Sequence, residues 1–185
     1  MRQFNFPRFN GFMNHRLDNL LCADLVNFDI FNESDLHSAA YFYIRDFFRK
    51  NERSHIYVRC EPTLARKKPD IVIYNRAKPI YAVEFKVFTK QDDVNEKKVF
   101  EDLDKLAEVV NRFESMKWGF FYLVHDSEES YTLSNPALRK RGYDNISMST
   151  INARRKEDTG RRRHNYDKWR AEFDNLSARQ REHAE

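Results

Sequence analysis

Apolar positions recur along the chain with two different periods, and the alternation between them outlines the elements. From Asn32 to Asn51, "NESDLHSAAYFYIRDFFRKN", the spacing is helical. Leu36, Ala40, Ile44 and Phe47 form the inner stripe, Asn32 or Ser34 can cap the start, acids occupy the first turn, and Arg49 and Lys50 close the last. Three runs rich in β-branched and aromatic residues follow, "HIYVRCEP", "PDIVIYN" and "PIYAVEFKVF", and each predicts a strand, with Pro69 and Pro79 at strand starts. Between Val94 and Glu114, Val99, Leu103, Leu106, Val110 and Phe113 return to helical spacing. "WGFFYLVHD" is almost wholly apolar, which predicts a strand covered on both faces. Weaker signals place a short helix at Leu133 to Arg141, a fifth strand at Asn145 to Ile151, and a last helix with Tyr166, Trp169, Phe173 and Leu176 on one face. Residues 1–30 mix aromatics with Asn and Asp, as in a packing arm or a short helix around "HRLDNLLCADLV".

The order helix, three strands, helix, strand predicts an α/β protein: a central mixed sheet of four to five strands flanked by helices, begun as a meander and extended in parallel through a crossover helix. The 185 residues suit a single domain. Within 1–185, the expected parts are an arm at 1–31, a core at about 32–151, and a basic linker with an extra C-terminal helix at 152–185.

Composition narrows the function classes. A 41% hydrophobic content supports a real core, while only 4 glycines and no P-loop or GxGxxG argue against a glycine-cradled nucleotide site. Cys22 and Cys60 form no CxxC or Cys/His metal spacing, which disfavours structural zinc and fits a reducing compartment. His37, His55 and His125 show no HxH or HExxH spacing, so each reads singly as a structural histidine; no GxSxG or Cys/His pairing supports covalent catalysis. The first residues are interrupted by Pro7, Asn10, Gly11 and Asn14, unlike a secretory signal, and nothing approaches roughly 18 consecutive apolar residues. A cytoplasmic protein without a membrane partner is expected. The net charge of +4 is modest, but Arg154 and Arg155, then Arg161, Arg162 and Arg163, cluster as candidate phosphate contacts, and Tyr166 or Trp169 could stack on bases or pack in an interface. An apolar tail helix would also suit a homodimer.

Charge inside the strands is the sharpest signal. A hairpin centred on Ala77 sets Asp70 opposite Glu84. Period 2 then sends Tyr81, Val83, Phe85 and Val87 to one side, the core, and Ala82, Glu84 and Lys86 to the other, the charged face. Opposed carboxylates repel, and a divalent cation reverses that penalty. Mg²⁺, with Mn²⁺ as substitute, takes one or two carboxylates, here Asp70 and Glu84, and the Phe85 carbonyl could add a ligand. Lys86, on the same face, could orient an attacking water or stabilise charge on a phosphodiester. The bland alternative is a salt-bridged exposed sheet face.

Pro69 and Asp70 followed by Glu84, Phe85 and Lys86 read "PD...EFK", which resembles the signature of the PD-(D/E)xK nuclease superfamily, the restriction-endonuclease-like fold. The resemblance covers residues 32–126 through a matching order of elements. It implies a Mg²⁺-dependent nuclease with Asp70 and Glu84 as metal ligands and Lys86 as the catalytic lysine, acting on nucleic acid, DNA before RNA. Members of the superfamily often add a glutamate from the first helix; Glu33 matches best, with Asp35 competing, and a first-turn acid serving the helix dipole is the alternative. From the crossover helix, Lys97, Lys98, Glu101 and Lys105 are the polar candidates, Lys98 and Glu101 foremost, against a plain solvated face. The contrasting reading is a noncatalytic nucleic-acid-binding or assembly protein that keeps the fold.

Overall fold

Local chemistry starts the helices where the sequence places them. In the computed structural model, which describes residues 5–27, 30, 32–51, 55–88, 95–125 and 143–152, α1 (Phe6–Gly11), a π-helical turn (Phe12–Leu17) and α2 (Asp18–Asn27) run end to end. Pro7 is tolerated in the first turn, where no backbone donor is required. The segment expected as an arm or short helix is therefore helical over most of its length. Its Phe9, Met13, Leu17 and Leu21 are fully buried. Next comes α3 (Glu33–Lys50), capped by Asn32, whose Oδ1 accepts from the Asp35 N–H at 2.9 Å. Leu36, Ala40, Ile44 and Phe48 face inward. Phe48 takes the place expected for Phe47, because steps of three and four residues both stay on one helical face. Phe47 turns to the arm instead, 4.5 Å from the Phe12 ring.

The sheet has the order β1-β2-β3-β4-β5. Strands β1 (Ile56–Cys60), β2 (Ile71–Asn75) and β3 (Lys78–Phe88) form the antiparallel meander. After β3 the chain crosses through α4 (Glu96–Arg112), and β4 (Trp118–His125) and β5 (Ile146–Asn152) add in parallel. The α/β class, the mixed five-stranded sheet and the crossover helix agree with the sequence reading. The expected hairpin register holds at Ile71↔Val83, Val72↔Ala82 and Ile73↔Tyr81, then shifts by one to Tyr74↔Pro79. Pro79 has no N–H to give the ladder, and a bulge absorbs the irregularity. The turn is thus Arg76-Ala77 rather than one centred on Ala77, with Arg76 at φ 56.

Both faces of the sheet are covered. Ile71, Ile73, Tyr81, Val83, Phe85, Phe120 and Tyr122 pack against the arm and α3. Val72, Ala82, Phe121 and Leu123 pack against Val99, Leu103, Leu106, Val109 and Val110 of α4. The expected division into a core face and an open charged face is therefore corrected: α4 lies over the face that carries Glu84 and Lys86. It approaches closely at Gly119, where a Cβ would meet Leu106 and Val110 at 3.0 Å. Phe113, expected in the α4 stripe, stands just past the helix end and is half-buried. All described residues belong to one compact unit, Met1–Arg154. The predictions at Leu133 to Arg141 and for the last helix lie outside the described residues. Among the described residues no helix is long and apolar enough to cross a membrane.

Candidate metal centre

Asp70 sits one residue before β2, where the hairpin register carried one step past Ile71↔Val83 puts it across from Glu84. Two backbone contacts fix it: its carbonyl accepts from the Glu61 N–H at 2.8 Å, and its Oδ2 accepts from the Phe85 N–H at 2.7 Å. From the other side α3 brings Glu33 and His37, one helical turn apart. His37 Nε2 stands 3.4 Å from Asp70 Oδ2 and 3.9 Å from Glu33 Oε1. One ligand atom each from Glu33, His37 and Asp70 can be taken so that all lie within 4.8 Å of one another. The imidazole rests on the Phe85 ring at 5.4 Å, and Phe85 stacks on Tyr122 at 5.1 Å, so an aromatic column holds the histidine in place. Burial opposes charging His37, but the carboxylates of Asp70, Glu33 and Glu61 outweigh it and raise its pKa.

Glu84 and Lys86 engage α4. Glu84 is 2% exposed, and Lys105 donates to its Oε1. Lys105 also lies 3.7 Å from Asp102 Oδ1, while Lys86 Nζ is 2.8 Å from Asp102 Oδ2. These four side chains form an alternating charge chain between β3 and α4. Burial, then the charge of Asp70, push the Glu84 pKa upward against the pull of Lys105. The Lys105 ammonium is itself favoured by Glu84, Asp70 and Asp102 despite its burial.

The sequence candidates thus divide into two groups. Asp70 meets Glu33, and also His37, which the sequence reading took singly as structural but marked as the histidine to watch; its sequence signal was the four-residue step from Glu33 on one helical face. Asp35 is outside that group, and its N–H serves the Asn32 cap. Phe85 donates its N–H to Asp70 and lays its ring against His37. On α4 the residues that reach the site are Lys105 and Asp102, not the favoured Lys98 and Glu101, both of which are exposed. Asp102 was missed because charge alone does not tell an inward helical position from a solvated one. Arg154, Arg155, Arg161, Arg162 and Arg163 lie outside the described residues.

Glu33, His37 and Asp70 make a group that could hold a metal ion. Among the described residues Glu84 Oε2 is buried without a hydrogen-bond partner, a state that normally costs free energy. No family model matches the chain, and no curated protein matches it.

Proposed function

We propose that the chain is a divalent-cation-dependent nuclease with a restriction-endonuclease-like core, hydrolysing phosphodiester bonds of nucleic acid, DNA foremost. The observation that carries this reading is the approach of Glu33 and His37 on α3 to Asp70 at the start of β2, with Glu84 and Lys86 on the neighbouring strand. Asp70, Glu33 and His37 would hold the cation, while Glu84, a ligand in the sequence reading, is engaged by Lys105 of α4. When bound, the cation neutralises phosphate charge and acidifies a water. Around it the chain's own groups do the positioning. The Phe85 N–H keeps the Asp70 carboxylate oriented, the Phe85 ring shields one side of His37, and Asp102 anchors Lys86 two residues from Glu84, where its ammonium orients water or meets developing charge. The arginines at 154, 155 and 161–163 serve as phosphate contacts, and a homodimer would set two such sites against a duplex.

The test is cleavage of plasmid DNA, single-stranded DNA and RNA by purified protein with Mg²⁺ or Mn²⁺. Asp70→Ala and Lys86→Ala are each expected to lower the rate at least about 100-fold with circular dichroism unchanged. Full activity in either variant sinks the assignment. A second reading, a noncatalytic nucleic-acid-binding or assembly protein, is favoured by the charge chain itself, since Glu84–Lys105 and Lys86–Asp102 neutralise one another without metal. Absence of both Mn²⁺ binding and cleavage in the wild type decides for it.

A further inference from the structure

Away from the metal centre, the arm and α3 enclose a groove of about 350 Å³. Arg8, Phe12, Arg16 and Leu20, spaced every four residues, line one wall, and Tyr43, Phe47 and Lys50 line the other. The volume lies at the low end of small-molecule sites, about 300–1,000 Å³, enough for one compact ligand. From His37 to Phe47 is ten residues along α3, about 15 Å, so this is a different place from the metal centre.

Three features point to a ligand that is both anionic and ring-bearing. Arg8 and Arg16 have no carboxylate within ion-pair distance among the described residues. The groove's one carboxylate, Asp46, is already neutralised by Arg49 at 2.8 Å and Lys50 at 2.6 Å, so two guanidinium groups are left over. Between them the surface is apolar, from Phe12, Phe47 and Leu20, and the Tyr43 ring is held as a wall by its hydroxyl, which donates to Asp24 Oδ2 at 2.6 Å. The third feature is backbone. Gly11 sits in ordinary helical geometry, φ −61 and ψ −37, and an added Cβ would meet nothing within 4 Å. Glycine costs a helix about 0.5–1 kcal/mol relative to alanine, and no packing contact explains it here. It stands on the groove wall directly before the π-helical turn, a rare geometry frequent at functional sites.

We propose that this groove binds one nucleotide unit, its phosphate on Arg8 and Arg16 and its base against the Phe12, Phe47 and Leu20 surface. A planar ring joined to a phosphate matches an apolar slot rimmed by unneutralised guanidinium groups, which take phosphate oxygens in pairs. The source is either a free nucleotide or one unit of a single strand. The site does not depend on the nuclease reading.

Calorimetric titration of the full chain in chelator separates the outcomes, with AMP, an eight-residue oligothymidylate and inorganic phosphate as probes. AMP, the oligonucleotide or both should bind at least about tenfold tighter than phosphate. Arg16→Glu and Gly11→Glu should each weaken that binding at least about tenfold, while Gly11→Ala and Asp70→Ala leave it unchanged. Loss with AMP identifies a free nucleotide as sufficient; loss with the oligonucleotide alone identifies a strand. No binding of either probe, affinity no better than that for phosphate, or binding that both glutamate variants leave intact overturns the proposal. Because Asp70→Ala removes the metal centre and spares the groove, failure here and failure of the nuclease reading are read from different variants.

Discussion

Lys105→Met tests the charge chain between β3 and α4 directly. The substitution keeps most of the side-chain volume but leaves Glu84, whose side chain is 3% exposed, without the ammonium that now donates to it. Breaking a buried ion pair from one side costs about 3–5 kcal/mol. Two features reduce that figure here. The Lys105 side chain is 26% exposed, so water already screens the pair, and Lys86, two residues along β3, is a cation that can turn toward Glu84. A loss of about 2–3 kcal/mol is therefore expected. Equilibrium urea denaturation at neutral pH in chelator measures it, with Glu84→Gln and the double variant completing a cycle. A neutral glutamine needs no counter-charge, so most of the loss should vanish in the Glu84→Gln background, giving a coupling of about 2 kcal/mol. A single variant within about 0.5 kcal/mol of wild type, or the same loss in both backgrounds, refutes the role given to Lys105.

Other expectations follow from burial and close approach. Phe9→Ala, at a fully buried ring stacked 5.0 Å from Phe48, should cost about 3–4 kcal/mol in urea denaturation, whereas a peripheral arm would lose almost nothing. Gly119→Val drives a branched side chain into Leu106 and Val110 and should cost about 2 kcal/mol by thermal melting; an unchanged melting temperature would contradict the close approach of α4. Burial raises the Asp18 pKa to about 6, against a hydrogen bond with Ser149 and the charge of His15. The native state therefore favours the protonated acid, a contribution present in full below the unfolded value of 3.8 and lost as pH rises through about 6. Asp18→Asn should match wild type in strong acid and exceed it by roughly 1 kcal/mol above neutrality, a figure discounted for the partly buried site; a stability difference that does not change with pH would rule this out.

Much of the architecture was legible because it rests on short-range rules. The Asn32 cap, the α4 stripe from Val99 to Val110 and the pairing of Ile71 with Val83 follow from spacing and turn length alone. The juxtaposition of Asp70 and Glu84 came with that pairing. Where local rules allowed two answers the sequence reading erred by a residue, as at Phe47 and Phe48, or misplaced a turn beside Pro79. The arm's helices were underestimated because Pro7, Gly11 and Asn14 lower local helix propensity, which the burial of Phe9, Met13, Leu17 and Leu21 overrides.

By itself, then, the sequence determined the order of elements, the class of sheet and the opposition of two carboxylates across a hairpin, since each depends on neighbours within a turn or a strand pair. Only the tertiary structure decided which helix lies over which face. That choice depends on contacts between segments far apart in the chain, and it turned an expected open charged face into a buried one, with Lys105 on Glu84 and Asp102 on Lys86. It also gave Asp70 different companions, Glu33 and His37 from α3, because the carboxylate at the strand's start reaches toward the opposite layer. Periodicity records which way a side chain points. What it meets there is set by the packing of the whole sheet.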